Sequence, residues 1–202
     1  MTKKNFVFDL GNVTVYYQPD EYLKSMGYEG ERAEAIKRAT FSAPIWVDCD
    51  AGLVTRKQMI DSACEKYPEI ADDIRRTITE CEVMLQPIPN SIEAFKYLTE
   101  NGYDCYYLSN TTPEGIKYMS SFDYFKNFKG GIASALERVA KPDHAIFELF
   151  TSRYNLKPED CIFIDDNMPN IVAAKECGFG AYQLKDVDGL LELVRDVVRG
   201  RA

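Results

Sequence analysis

The chain has 202 residues, enough to bury a core in one domain or in one domain with a sizeable insertion. Its formal net charge is −8, and its lysines and arginines are scattered, which argues against a surface that neutralises nucleic-acid phosphates. No segment approaches the roughly 18 apolar residues of a membrane span, and residues 1–4 leave no room for a signal peptide, so we expect a cytoplasmic protein without nucleic-acid or membrane partners.

The first predicted strand is an apolar run that ends on a carboxylate. Phe6, Val7 and Phe8 are typical of a strand buried on both faces, Asp9 follows them, and Gly11 breaks the pattern. Open α/β sheets bind ligands at the carboxyl ends of their strands. Asp9 is therefore either a functional carboxylate or a residue that caps a turn.

A charge-rich helical region covers residues 16–87. Its best-marked helix begins with the capping-box pattern of Thr55 and Gln58 and ends at Pro68. Helical spacing of apolar residues predicts further helices at 20–26, 30–41 and 70–81. The sequence thus predicts a small all-helical module inserted between two strands.

From Pro89 onward, predicted helices and strands alternate. The predicted strands cover 103–108, 132–134, 161–164 and 181–184. The predicted helices begin near Asn90, Thr112, Lys141, Pro169 and residue 187, and Gly130-Gly131 is predicted as a turn. Alternation of this kind predicts an α/β fold with a parallel sheet and helices on both of its faces.

Polar side chains gather at the predicted strand ends, which all lie along one edge of such a sheet. The set consists of Asp9, Ser109, Asn110, Asp165 and Asp166, with Lys141 at the start of a nearby helix. Three carboxylates could hold Mg²⁺, while a lysine, a hydroxyl and helix N-terminal amides could hold a phosphate. Crowded carboxylates repel one another without a cation, so the cluster predicts a metal, although Asp165-Asp166 alone could be a solvated turn.

In order and spacing, these residues resemble the four motifs of the haloacid dehalogenase superfamily, over nearly the whole chain. The motifs are Asp9-Leu10-Gly11-Asn12-Val13, Ser109-Asn110, Lys141-Pro142, and Asp165-Asp166-Asn167 with Asn170. The resemblance implies a Rossmann-like parallel sheet core made of residues 1–15 and 88–202. It also implies that residues 16–87 form an all-helical cap that closes over the substrate.

The resemblance further implies a phosphatase with three catalytic residues. Asp9 is the nucleophile that takes the phosphoryl group, and water then hydrolyses the aspartyl-phosphate. Ser109 hydrogen-bonds the phosphate, and Lys141 balances the charge on Asp9 and on the transferring group. The implied substrate is a small phosphate ester.

The same resemblance implies a Mg²⁺ site and a set of substrate contacts. Asp9, Asp165 and the backbone carbonyl of Gly11 would bind the metal, and Asp166 would bind it directly or through water. The expected substrate-binding residues are Ser109, Asn110, Gly11 and Trp46. We expect the cap to set specificity, with Tyr16, Tyr17, Trp46 and Asp48 as candidate contacts, although aromatic residues more often serve to pack a core.

Gly11 departs from the family pattern, because most phosphatases of the superfamily carry a second aspartate there as general acid and base. Such a loss lowers the rate by a factor of about 10² to 10⁴. Gly11 counts against a β-phosphoglucomutase, which shuttles protons through that aspartate. True dehalogenases also lack it, but they need no Mg²⁺ and have little use for the Asp165-Asp166 pair. The Leu-Gly-Asn-Val and Asp-Asp-Asn sequences best resemble the bacterial branch that includes the α-D-glucose-1-phosphate phosphatase.

Two explanations for Gly11 remain open. An anomeric phosphate leaves as a hemiacetal oxygen, which needs less protonation than an ordinary alcohol. Alternatively, a cap carboxylate reaches the site on closure, and the candidates are Asp20, Asp48 and Asp50.

We expect a Mg²⁺-dependent phosphatase that hydrolyses a small phosphomonoester, specifically a sugar phosphate, as a monomer or homodimer. A catalytically weak phosphate-binding or regulatory protein is the main alternative, and a haloacid dehalogenase is a further one.

Overall fold

The computed structural model describes residues 5–201, and its centre is a five-stranded sheet. The strands are β1 (Asn5–Phe8), β2 (Asp104–Ser109), β3 (Phe128–Ala133), β4 (Cys161–Asp165) and β5 (Gly180–Gln183). All neighbouring strands are parallel, in the spatial order β3-β2-β1-β4-β5. The predicted α/β fold with a Rossmann-like parallel sheet is confirmed, and β1 lies at its centre.

Eleven α-helices surround the described part of the sheet. Those between β1 and β2 are α1 (Pro19–Ser25), α2 (Gly30–Ala39), α3 (Pro44–Asp50), α4 (Arg56–Lys66), α5 (Ala71–Thr79) and α6 (Pro89–Glu100). The later ones are α7 (Pro113–Met119), α8 (Ser134–Glu137), α9 (His144–Tyr154), α10 (Met168–Glu176) and α11 (Leu190–Val198). Short 3₁₀ segments cover Pro68–Ile70, Cys81–Met84, Asp123–Asn127 and Pro158–Asp160. No helix within residues 5–201 is long and apolar enough to cross a membrane.

The two faces of the sheet bury separate hydrophobic clusters, because side chains alternate along β1. Phe6 and Phe8 pack on the face that is covered by α6 and α11, where the Phe8 and Phe95 rings meet edge to face at 5.0 Å. Val7 packs on the opposite face with Phe147 of α9 and with α10. The continuous apolar run before Asp9 thus reflects burial on both faces.

The helices α1 to α5 bury apolar side chains among themselves. One cluster includes Leu23, Ile36 and Ile74, and a smaller one includes Met59 and Ile78. The capping box that starts α4 is formed as the sequence indicated. The Thr55 hydroxyl accepts the Gln58 N–H at 3.2 Å, and the Gln58 side-chain carbonyl accepts the Thr55 N–H at 2.8 Å.

The chain leaves the sheet and returns to it through two adjacent connections. The Tyr16 N–H donates to the Gln86 carbonyl at 2.9 Å, and the Ile88 N–H donates to the Thr14 carbonyl at 3.0 Å. Hydrogen bonding between the two connections brings the ends of the helical segment together beside the sheet.

Two local predictions were wrong, and one helix was not predicted. Gly130 and Gly131 lie inside β3 and not in a turn. A Cβ at Gly131 would overlap the Tyr107 side chain, so glycine is needed there for a close approach and not for a turn. Helix α3 was not predicted, because its apolar residues Ile45, Trp46 and Val47 are consecutive and do not show helical spacing. Lys141 does not open a helix: α9 begins at His144, with Asp143 as its N-cap.

Candidate active site

The carboxyl ends of β1, β2 and β4 bring the predicted motifs to one edge of the sheet. Asp9 follows β1 directly, and its N–H donates to the Ile164 carbonyl of β4 at 2.9 Å. Ser109 and Asp165 are the last residues of β2 and β4, and both are buried. Residues about 100 and 156 positions after Asp9 thus become its neighbours through parallel pairing alone.

Lys141 lies between the first and fourth motifs. Its Nζ donates to Asp9 Oδ1 at 2.7 Å and to Asp165 Oδ2 at 2.6 Å, and its side chain is only 1% exposed. Burial by itself lowers the pKa of Lys141, but the charges of Asp9 and Asp165 outweigh that effect and hold the pKa above its ordinary value. Lys141 therefore stays protonated and supplies a fixed positive charge beside Asp9.

Asn110 holds the backbone of Lys141 in place. Its side-chain carbonyl accepts the Lys141 N–H at 2.8 Å, and its amide group donates to the Lys141 carbonyl at 2.8 Å. The sequence predicted Asn110 as a substrate contact and did not predict this pairing. Asn110 also lines the cavity described below, so a contact with substrate stays a prediction.

The asparagines of the fourth motif orient the Asp165 carboxylate. The Asn170 amide donates to Asp165 Oδ2 at 2.9 Å and to Oδ1 at 3.1 Å, and the Asn167 N–H donates to Oδ1 at 2.7 Å. Together with Lys141, these donors satisfy a carboxylate that has no exposed surface. These hydrogen bonds therefore hold the Asp165 carboxylate in one orientation beside Lys141.

Three of the predicted metal ligands form one compact group. Carboxylate oxygens of Asp9, Asp165 and Asp166 all lie within 4.8 Å of one another. Burial raises the pKa of Asp9 to about 6; Lys141 opposes this rise, whereas the charges of Asp165 and Asp166 add to it. Burial and the Asp165 charge also raise the pKa of Asp166. Oxygen donors are the ligands that Mg²⁺ prefers, and a cation would relieve this repulsion, so the residues fit the expected metal.

The turn after Asp9 is shaped by Asn12. The Asn12 amide donates to Asp166 Oδ2 at 3.3 Å, and its carbonyl oxygen accepts the Tyr17 N–H at 3.0 Å. Asn12 has a φ of 53°, in the left-handed region that asparagine tolerates better than most residues. The Asn of the first motif thus links Asp166, one of the predicted metal ligands, to the start of the helical segment.

A cavity of about 340 Å³ opens in front of these groups. The predicted site residues that line this cavity are Asp9, Gly11, Ser109, Asn110, Lys141, Asp166 and Trp46. The wall that α3, α4 and the neighbouring loops form adds Tyr17, Phe41, Asp50, Arg56, Cys81, Glu82, Met84 and Leu85, and α7 adds Met119. The cavity therefore has a charged floor on the sheet side and a partly aromatic wall opposite.

The opposite wall contains residues that the motifs did not mark. Trp46 packs edge to face on Phe41 with ring centroids 4.9 Å apart, and its indole hydrogen-bonds the carboxylate of Asp50. Arg56 pairs with Glu82, and its Nη2 lies 3.4 Å from the hydroxyl of Thr112. No motif singles out Phe41 or Arg56, because only the folded chain brings them to the cavity.

The three cap carboxylates differ in position. Asp20 pairs with Lys37 at 2.6 Å and is 67% exposed, and Asp48 is also exposed. Asp50 lines the cavity. Its pKa is raised to about 7 by burial, against the effect of the Trp46 hydrogen bond, with the Asp9 charge raising it further and Arg56 lowering it.

Comparisons with known proteins identify the family of this chain. The family model of the haloacid dehalogenase-like hydrolases matches residues 3–178. Sesquiterpene phosphatase astK of Aspergillus oryzae is 27% identical over 192 residues, which cover 92% of this chain and 91% of that protein. Acyl-CoA dehydrogenase family member 10 of Mus musculus is 25% identical over 193 residues, but the chain covers only 17% of that protein's length.

Solved structures share the fold. The HAD family enzyme BT-2542 of Bacteroides thetaiotaomicron superposes with a TM-score of 0.71 at 23% identity, covering 91% of this chain and 94% of that one. A crystal structure of the same wild-type enzyme in complex with magnesium and inorganic phosphate has a TM-score of 0.69 at 24% identity, with 90% and 93% coverage. On the match over residues 3–178, the chain belongs to the haloacid dehalogenase-like hydrolases.

Proposed function

We propose that this hydrolase is a Mg²⁺-dependent phosphatase that acts on small phosphomonoesters through an aspartyl-phosphate. The contact between Asp9 and the buried ammonium of Lys141, beside the carboxylates of Asp165 and Asp166, carries the proposal. Of the two Asp9 oxygens, Oδ1 is the one that Lys141 holds, at 2.7 Å. The other oxygen, Oδ2, is the one that attacks in the proposed mechanism.

Each residue has a separate task in this mechanism. Asp9 attacks phosphorus, the bond to the ester oxygen breaks, and the alcohol leaves with a proton; water then cleaves the acyl-phosphate bond and restores Asp9. Lys141 and Ser109 stabilise the charge that develops on the peripheral phosphoryl oxygens. Asp9, Asp165, Asp166 and the Gly11 carbonyl would hold Mg²⁺, which when bound supplies positive charge that lowers the repulsion between carboxylate and phosphate.

The relatives support phosphate chemistry at this site. The relative astK, with nearly full coverage of both chains, is a sesquiterpene phosphatase, and the BT-2542 fold has been seen with magnesium and inorganic phosphate. The aspartate that most family phosphatases carry two residues after the nucleophile is still replaced by Gly11. Its replacement is the reason that a phosphate-binding protein with weak turnover stays the alternative.

The substrate class has two candidates. The sequence resemblance favours a sugar phosphate, whose good leaving group needs little protonation. The cavity wall favours the phosphate ester of an apolar alcohol, because Phe41, Trp46, Met84 and Leu85 offer apolar surface away from the charged floor. A panel of hexose 1-phosphates, simple alkyl phosphates and prenyl phosphates distinguishes them through kcat/KM.

The division into core and cap stays a proposal, with residues 1–15 and 88–202 as the core and 16–87 as the cap. The paired connections at Tyr16–Gln86 and Thr14–Ile88 support it, since they form a narrow link to helices that share their own clusters. The cytoplasmic location and the monomeric or homodimeric state stay predictions from the sequence.

The deciding experiment measures phosphate release from the panel with Mg²⁺, with EDTA, and by the Asp9→Asn variant. We expect release only by the wild type with Mg²⁺. Activity in EDTA or in Asp9→Asn overturns the mechanism. Mg²⁺-dependent binding of inorganic phosphate without release from any ester favours the binding protein, and halide release from a 2-haloacid without Mg²⁺ favours a dehalogenase.

A further inference from the structure

The first motif, which follows β1, contains no second carboxylate that could donate a proton to the leaving group. Gly11 stands two residues after Asp9, and its nearest neighbour beyond the adjacent residues is Tyr17. Among the described residues, the carboxylates that line the cavity are Asp9, Asp50, Glu82 and Asp166. Asp9 and Asp166 belong to the metal cluster, and Glu82 is paired with Arg56. Asp50 is the remaining carboxylate at the cavity wall.

Asp50 is fixed to the sheet side of the molecule although it ends helix α3. The Ser134 hydroxyl at the start of α8 donates to the Asp50 carbonyl. The same hydroxyl accepts the N–H of Thr111 at 2.9 Å, two residues after Ser109. Asp50 is therefore connected to the loop that follows β2.

A second contact at the end of α3 restricts its position. Gly52 has a φ of 70°, and a side chain at this position would overlap the backbone of Ala135 in α8. Only glycine allows such a close approach without strain. Together with the Ser134 hydrogen bond, it holds the end of α3 against the core.

The surroundings of Asp50 keep a proton available near neutral pH. Trp46 hydrogen-bonds the carboxylate, Asp9 and Arg56 act on it with opposite charges, and burial raises its pKa to about 7. Tyr17 and Cys81 line the same cavity as Asp50; burial is the main cause of their raised pKa values, and the Asp50 charge adds to both. A carboxyl group with these properties can donate and accept a proton at physiological pH.

We propose that Asp50 is the general acid and base of this enzyme, supplied from the helical segment in place of the missing carboxylate at position 11. This assignment rests on the proposed phosphatase function. In the first step the Asp50 carboxyl gives its proton to the ester oxygen as the bond to phosphorus breaks. In the second step the Asp50 carboxylate takes a proton from water as that water attacks the phosphoryl-Asp9, so the proton returns to Asp50.

The test compares Asp50→Asn with Asp72→Asn, which changes a fully exposed carboxylate of the helical segment that does not line the cavity. For an alkyl phosphate with Mg²⁺, we expect Asp50→Asn to lower kcat/KM by about 10² to 10⁴ and Asp72→Asn to leave it unchanged. For p-nitrophenyl phosphate, whose leaving group needs little protonation, kcat/KM should fall much less. With this ester the first step stays fast in Asp50→Asn while hydrolysis of the intermediate lacks its base. Phosphoryl-Asp9 should therefore accumulate and be visible by mass spectrometry of the intact protein.

The pH profile provides a readout that a purely structural role would not move. In the wild type, kcat/KM for an alkyl phosphate should fall as pH rises through about 7, where Asp50 loses its proton. This decrease in kcat/KM with rising pH should be absent in Asp50→Asn and present in Asp50→Glu. Mg²⁺-dependent binding of inorganic phosphate by Asp50→Asn checks that the variant is folded.

The outcomes separate the two proposals. An active wild type together with an Asp50→Asn variant of unchanged kcat/KM and pH profile overturns the assignment of Asp50 alone. Equal losses for the alkyl and p-nitrophenyl esters, without accumulation of phosphoryl-Asp9, also overturn it. A wild type that neither releases phosphate from any ester nor forms phosphoryl-Asp9 overturns the proposed function and the role of Asp50 with it.

Discussion

The side chain of Asn110 and the backbone of Lys141 form two reciprocal hydrogen bonds of 2.8 Å each. Through them, the loop after β2 sets the position of the lysine that contacts Asp9. Because Lys141 precedes α9 and lies in no regular element, these bonds replace the support that a helix would give. The second and third motifs therefore act as one unit.

Replacing Asn110 should show whether this residue positions Lys141 or contacts the substrate. We expect Asn110→Ala to lower kcat by about 10-fold to 10²-fold with little change in KM, because a displaced Lys141 stabilises the transition state less well. The matched control is Asn90→Ala, which also removes a side-chain hydrogen bond to a backbone carbonyl, that of Asp188, but away from the cavity. A rise in KM at constant kcat would instead identify Asn110 as a substrate contact.

Removing the Lys141 charge should damage both activity and stability. In Lys141→Met the buried carboxylates of Asp9 and Asp165 lose their cation, and we expect the free energy of unfolding without Mg²⁺ to fall by about 3 to 5 kcal/mol. Lys126→Met is the control, because Lys126 is 79% exposed in its pair with Asp123 and such pairs contribute little. Urea unfolding in EDTA measures both variants, and equal losses would show that the buried pairs add no special stability.

Mg²⁺ should stabilise the folded protein through the three-carboxylate group. At a Mg²⁺ concentration of about 100 times Kd, we expect a gain of about 2.7 kcal/mol in the free energy of unfolding. Asp166→Asn should shift this gain to higher Mg²⁺ concentrations, whereas the exposed Asp123→Asn should not. Thermal unfolding across a Mg²⁺ titration tests this, and identical curves for wild type and Asp166→Asn would remove Asp166 from the metal site.

Asp50 should make stability depend on pH with a defined sign. Its folded-state pKa of about 7 lies above the usual value, so between about pH 4 and 7 the folded state holds a proton that the unfolded state has released. Stability should therefore fall as pH rises through this window. We therefore compare the free energy of unfolding of Asp50→Asn with that of the wild type. This difference should be more favourable to the variant at pH 8 than at pH 4, by on the order of 1 to 3 kcal/mol.

Chemical denaturation of both proteins at the two pH values measures this difference, and Asp48→Asn serves as the control because its carboxylate is exposed. If Asp50→Asn differs from the wild type in unfolding free energy by the same amount at pH 4 and pH 8, ionisation of Asp50 does not cause the difference.

A carboxylate introduced at position 11 should compensate for the loss of Asp50. A Cβ at Gly11 would lie 3.7 Å from the Cβ of Tyr17, which is an ordinary contact distance, so a side chain fits there. We expect Gly11→Asp to restore about 10-fold or more of the alkyl phosphatase activity of Asp50→Asn. Gly11→Asn in the same background should restore none, and equal effects of the two would show that the gain does not come from proton transfer.

Much of the site could be predicted because parallel strands place their ends together. The apolar runs before Asp9 and Asp165 mark buried strands, and the four motifs follow them in order. The cluster of three carboxylates beside Lys141 agrees with that prediction. Local hydrophobic pattern and strand topology carry this part of the information.

By itself, the sequence determined the α/β class, the residues at the strand ends and the absence of an acid at Gly11, since each depends on local pattern and order along the chain. Only the tertiary structure decided that Asn110 holds Lys141 and that Asp50, rather than Asp20 or Asp48, lines the cavity. Those relationships join residues that are far apart in sequence and depend on how α3 packs against α8. Local periodicity holds no information about such packing, because it is set by side-chain shape and hydrogen bonds between separate elements.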